Sequence, residues 1–280
     1  MAAKTNILGA DGTKAKVTSK GELVTLPTDF HHEMASGTVE GHRVVHKFGR
    51  ATVGTTFVPL CLGNVWPTPQ VAVQLRIKAG GNVADIAGGA GAREVFLQGV
   101  DARGMEVADV IPTNGANASV ATVKSFLRFY RGWVAEAGTY ATISAGSHVA
   151  DIVIEDSGGV EDWGTIDSTG FPRSQSEIGC YTVPSNERAF INTITVYVDA
   201  TKSSDFIFFQ RQNILQTAAP YSAMREVIAA TGITGQTTLQ PESPVGGFPP
   251  LTDLIFLGKV GASTGEIIVD FEITLEAVGI

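Results

Sequence analysis

Over most of the chain, apolar and polar residues alternate with the two-residue period of a strand. In "VAVQLRIK", Val71, Val73, Leu75 and Ile77 fall on one face and Ala72, Gln74, Arg76 and Lys78 on the other, as a half-buried strand requires. The same reading marks strands at "HRVVHKFG", "REVFLQGVD", "SFLRFYRGWVA", "DIVIED", "IGCYTV", "AFINTITVYVD", "DFIFFQRQ", "AMREVIAA", "DLIFLGKVG" and "EIIVDFEITLEAV". Between them lie segments rich in Gly, Asn, Asp, Ser and Pro, which supply turn conformations. Many short strands punctuated in this way predict an all-β protein built from two β-sandwich, jelly-roll-like domains. "YSAMREVIAATG" fits a helix nearly as well as a strand.

Two stretches break the pattern. Residues 1–40 carry few large apolar side chains and predict an extended N-terminal arm, held by the body of the protein or by a neighbouring subunit. Residues 156–170 are acidic and Gly-rich, with Val160, Trp163 and Ile166 as their bulky side chains. That composition predicts a linker, which sets the two domains at 41–155 and 171–280. No repeat of fixed period is present.

Composition narrows the function classes. Charged residues make up 17% of the 280, the formal net charge is -8 and the pI is near 5.1, so the basic stripe of a nucleic-acid binder is missing and direct nucleic-acid contact is not expected. There is no run of 18 apolar residues and no apolar stretch of signal-peptide type. The expectation is a soluble product made in a cytoplasm, with no membrane partner. Cys61 and Cys180, flanked by apolar or small residues, read as buried reduced thiols.

Candidate chemistry is sparse. His31, His32, Glu33, His42 and His46 crowd into sixteen residues, but His42 and His46 lie in a strand-like run, about 13 Å apart at ~3.3 Å per residue, too far for one metal. His31 and His32 point oppositely in an extended arm. "GGAGAREV" has the glycines of a phosphate cradle but precedes a strand, whereas such cradles need a strand before and a helix after. Ser174, Ser176, Cys180 and Ser147 beside His148 form no nucleophile motif, and neighbours in an extended chain turn to opposite faces. The acidic pairs Glu155–Asp156 and Glu161–Asp162 read as a solvated loop, with a Ca²⁺ site as the minor alternative. In "TGFPRSQSEIGCYTVPSNERAFI", Arg173, Ser174 and Glu177 read as linker-to-sandwich contacts and Cys180 as core. No catalytic residue, metal ligand or cofactor is expected.

One constellation exceeds background. "DFIFFQRQ" places Phe206 and Phe208 on one face of a strand and Phe209 and Arg211 on the other; "FLRFYRGWV" places Phe126, Arg128 and Tyr130 opposite Arg131. Aromatic residues and Arg are what interface cores enrich, so these eight are candidate interface residues, and an ordinary central strand explains them equally well. Asp162 with Trp163 is the place where a sugar would stack, if one binds.

The strings "GHRVVHKFGR", "VAVQLRIKAGGNVADIAGGAGAREVFLQGVD", "GTYATISAGSHVADIVIED", "IGCYTVPSNERAFI" and "FPPLTDLIFLGKVGASTGEIIVDFEITL" resemble a group of β-rich virion structural proteins of tailed bacteriophages, from about Gly41 onward. The resemblance implies a non-enzymatic particle component. The first expectation is a capsid decoration protein with the arm as tether, self-associating as a trimer or other cyclic oligomer and contacting the major capsid protein. The alternative is a neck, tail or fibre-attachment component, or a host-glycan binding module. A hydrolase using the histidine-rich arm is the remaining class.

Overall fold

The computed structural model describes residues 30–140, 142, 146–168, 173–239 and 244–278. The chain forms two units, Met1–Glu40 and Gly41–Ile280. Within the first, Phe30–Ala35 is a short helix, α1, and a turn follows it, where an extended arm is expected; residues 1–29 of that arm lie outside the described residues. The helix stops on a Schellman turn. Gly37 has φ +74°, the Gly37 amide donates to the Met34 carbonyl, and the Thr38 amide reaches back to Glu33. Glycine takes that left-handed position without the Cβ clash other residues meet. His31 and His32 are therefore consecutive residues of a helix rather than opposed residues of an extended segment.

The second unit is all strand. Its elements are β1 (His42–Val53), β2 (Val58–Pro59), β3 (Val73–Ile77), β4 (Ala92–Val100), β5 (Glu106–Pro112), β6 (Ser125–Phe126), β7 (Arg128–Ala137), β8 (Ile152–Asp156), β9 (Asp162–Ile166), β10 (Cys180–Thr182), β11 (Glu187–Val198), β12 (Ser204–Arg211), β13 (Arg225–Ile233), β14 (Gln236–Leu239), β15 (Val245–Phe248), β16 (Asp253–Val260) and β17 (Gly265–Ala277). The ambiguous "AMREVIAA" is a strand. Every ladder is antiparallel. One sheet runs β1-β17-β11-β14 with β15 also on β11, a second runs β10-β16-β12-β13 with β2 on β16, and two smaller sheets run β6-β3-β8-β9 and β5-β4-β7.

Two apolar cores explain the layering. The first sheet contributes Val53, Ile191, Val196, Val269 and Phe271 to a core that the second sheet completes with Phe206, Phe208 and Phe256. Phe256 stacks on Phe208 with ring centroids 4.5 Å apart and meets Phe271 at 4.5 Å, so one aromatic column joins the two sheets. The second core gathers Leu75, Ile77, Leu97, Phe129, Ile154 and Trp163 from the smaller sheets, and takes Cys180 and Ile255 from the second sheet. The second sheet thus has a core on each face: Leu254 and Phe256 belong to one and Ile255 to the other. Burial on both faces is why "DLIFLGKV" and "DFIFF" read as nearly continuous apolar runs.

This layering corrects the expected domain boundaries. Strand β1, assigned by sequence to a first domain at 41–155, pairs along its whole length with β17, and β2 pairs with β16. Residues 156–170 are not a plain linker, since β9 lies within them and pairs with β8. From β1 the second unit starts in the larger sheets, departs after β2 to build the smaller ones, and returns at β10. Local alternation cannot reveal such a return, because each strand looks the same whichever partner it finds. The strands missed by sequence, β2, β5, β9, β14 and β15, are mostly short, polar or glycine-bearing.

Candidate functional site

The aromatic and arginine positions marked by sequence are built into the body rather than displayed on it. Phe126, Phe206 and Phe208 are core side chains, and Phe209 packs partly buried against the second core. They form no outward face for another subunit. A strand held between two cores and a strand buried at an interface select the same residues, which is why alternation alone left both readings open.

Arg128 and Arg211 converge on one carboxylate. Arg128 Nη2 lies 3.1 Å from Asp253 Oδ2 and its Nε 3.2 Å from Oδ1; Arg211 Nη2 lies 2.7 Å from the same Oδ2. Thr182 Oγ1 donates to Oδ1 at 2.8 Å, while Arg128 Nη1 donates to the Pro69 and Leu127 carbonyls. Arg128 is 1% exposed and Asp253 0%. Burial pulls the Arg128 pKa down, against the attraction of Asp253. Charges so deep persist because each is met by partners, and removing one partner of such a pair typically costs ~3–5 kcal/mol. The cluster ties β7 of a smaller sheet to β10, β12 and β16 of the second sheet, so its work is to lock the layers together. Asp253 escaped the sequence reading; its signal was a lone acid opening the apolar strand "DLIFLGKV".

Tyr130 and Arg131, the remaining pair, line a cleft of about 480 Å³ together with Arg43, Lys47, Glu106 and Tyr181. Arg43 binds Glu187 through Nε and Glu106 through Nη2, both at 2.7 Å. Lys47, on the inward face of β1, donates a short hydrogen bond to the Tyr130 carbonyl. The ring centroids of Tyr130 and Tyr181 are 4.8 Å apart.

The other candidates are occupied internally. Trp163 is buried in the second core and Asp162 pairs with Lys78 at 2.8 Å, so Asp162–Trp163 is no sugar-stacking loop. Ser147 and His148 do not face apart: a bend brings Ser147 Oγ to 3.1 Å from His148 Nδ1 and 2.6 Å from Ser174 Oγ, with His148 Nε2 3.2 Å from the Asp167 carbonyl. Both residues are buried. Cys61 and Cys180, 119 residues apart in sequence, lie with Sγ atoms 3.7 Å apart in the second core, where burial pushes the Cys180 thiol up. The glycine loop around "GGAGA" wraps a carboxylate of its own. Asp85 accepts from the amides of Ala92, Val149 and Ala150, and a Cβ at Gly91 would sit 2.1 Å from its Oδ1.

In the stretch from Arg173 to Glu177, Glu177 takes Arg173 on one oxygen at 2.6 Å and Arg50 of β1 on the other at 2.7 Å. Arg50 also holds Asp167 at 2.8 Å, so these residues tie the return of the chain to β1. His46 pairs with Asp270 at 2.7 Å. Among the described residues no three of His, Cys, Asp and Glu gather as a metal-ligand set, and no helix there is long and apolar enough to cross a membrane.

No family model and no curated protein matches the chain. Among solved structures it is similar to that of the Gt strain of infectious bursal disease virus, at 10% identity over 91% of this chain and 78% of that one, with a TM-score of 0.21. A structure of the Gx strain gives 9% identity over 86% and 78%, TM-score 0.20. The crystal structure of a subviral particle of the same virus gives 10% over 91% and 79%, TM-score 0.18. Likenesses at TM-scores this low carry no weight for what the chain does.

Proposed function

We propose that the protein is a non-enzymatic structural component of a tailed-phage virion, most simply a decoration protein that braces the capsid through subunit contacts. The observation that carries this reading is where the polar and apolar side chains are spent. The Arg128–Asp253–Arg211 cluster fastens sheets to one another and the Ser147–His148 pair ties loops together, while exposed apolar side chains concentrate in the chain that builds the smaller sheets: Val71, Val83, Val120, Val123 and Val160 are each more than half exposed. Apolar side chains displayed by an otherwise well-packed body suit contact with another protein. The sequence resemblance to virion structural proteins supports the same reading, as does the separate unit formed by the first forty residues, which suits a tether.

Quantitative mass spectrometry of purified particles, referenced to the major shell protein, tests it. Copies in the hundreds are expected, with labelled antibody distributed over the head. A dozen copies or fewer at one vertex would assign the chain to the neck or tail, and absence from particles would overturn the virion reading.

A further inference from the structure

The cleft beside Tyr130 and Arg131 is rich in hydrogen-bond donors and short of acceptors. Lys47 is 2% exposed, and its one hydrogen bond among the described residues runs to the Tyr130 carbonyl. Arg131 likewise spends an Nη2 proton on a backbone carbonyl, that of His46. Neither cation has a carboxylate within ion-pair distance among the described residues. The Tyr130 and Tyr181 hydroxyls are buried and make no hydrogen bond of ordinary length there, although they lie near enough to each other and to Glu106 to feel one another. Glu106 is the acid lining the cleft, and it is already held by Arg43 and Gln98. Two cations without a carboxylate partner and two hydroxyls without a close hydrogen-bond acceptor therefore line one cleft of about 480 Å³.

Buried cations and hydroxyls are costly unless they are met by partners. The titration of Lys47 points the same way: burial, then the nearby charge of Arg131, pull it down to about 7. Besides Arg131, Cys61 and Cys180 bear on it, and the other titratable or charged groups lining the cleft are Arg43 and His46 on its own strand, Tyr130 of β7, Glu106 of β5 and Tyr181 of β10. Acceptors that would match these donors must come with negative charge and several oxygens, because the donors approach from β1, β7 and β10. A carboxylate offers two oxygens, whereas a phosphate-class group offers three or four.

We propose that this cleft binds a tetrahedral oxyanion, the phosphate or sulfate group of a small molecule, through Lys47, Arg131, Tyr130 and Tyr181. This site goes beyond the structural role proposed above and stands or falls separately from it.

Sulfate is the first probe, because its charge does not change between pH 5 and 9. The full chain is titrated with sulfate by calorimetry at constant ionic strength, beside inorganic phosphate, acetate and chloride. Saturable one-to-one binding of sulfate and phosphate is expected, tightening as pH falls through about 7 while Lys47 gains its proton. Arg131→Gln is expected to weaken binding at least ~10-fold and Tyr181→Phe several-fold, for lost charge-assisted and neutral hydrogen bonds respectively. Lys47→Met should abolish the pH slope. Tyr181→Phe keeps the test decisive if Arg131→Gln fails to fold. Non-saturable binding, equal binding of acetate or chloride, or unchanged affinity in Tyr181→Phe would each overturn the proposal.

Discussion

Lys47 shows what one side chain contributes to this fold. Its neighbours on the inward face of β1 are Gly49, Ala51 and Val53, all buried, so the ammonium group occupies a core position. Its folded pKa is about 7 against an ordinary 10.5. Between those values the unfolded chain binds more protons than the folded one, so stability rises with pH across that window, and below about 7 the penalty is fully present. Lys47→Met is therefore expected to stabilise the protein by up to ~4 kcal/mol at pH 7 and below, an advantage that fades towards pH 10.5. Denaturant midpoints of the two proteins from pH 6 to 10 check this, and parallel midpoints across that range would contradict it. A lysine in the apolar row of "KFGRATV" was a legible signal. That the donors of Tyr130, Tyr181 and Arg131 surround it was not, because they come from strands more than eighty residues away.

At the scale of elements, the closure of the larger sheets depends on backbone meeting backbone. Gly49 of β1 lies against Leu60 and Gly179, and a Cβ there would fall 2.1 Å from both the Leu60 carbonyl oxygen and the Gly179 amide nitrogen. The Gly179 amide itself donates to the Leu60 carbonyl at 2.9 Å. These are main-chain atoms, with no flexible side chain to yield. Gly49→Ala is expected to cost ~3 kcal/mol or more. Gly54→Ala, where a Cβ would meet nothing within 4 Å, should be neutral or slightly stabilising by restricting the unfolded chain. Thermal unfolding of the pair checks this, and equal midpoints would show that β1 can move away. The strand itself was predictable from "HRVVHKFG", but the need for glycine at its middle follows from a crossing segment far along the chain.

For the whole molecule, the described residues that build both cores all lie beyond Gly41. A chain beginning at Gly41 is accordingly expected to unfold cooperatively at the same midpoint as the full chain. If residues 1–40 act as the tether, the shortened chain should also bind assembled shells more weakly. Calorimetry and co-sedimentation with shells read the two outcomes separately. A lowered unfolding midpoint would mean that the first forty residues stabilise the body. Undiminished co-sedimentation would place the contacts on the body itself, among the exposed valines of the loops that join the strands of the smaller sheets.

The sequence by itself determined that this protein is β throughout the body, where its main strands run, and which faces carry apolar residues, because side-chain alternation is a local consequence of the pleat. It also marked Arg128, Arg211, Phe206 and Phe208 as unusual. Only the tertiary structure decided that these residues fasten one sheet between two cores, that β1 pairs with β17, and that Asp253 and Lys47 are buried charges with opposite fates. One is met by two guanidinium groups, and the other by a carbonyl without an opposite charge. Partner choice depends on which distant strands meet, and antiparallel ladders between segments more than two hundred residues apart leave no local mark in the letters.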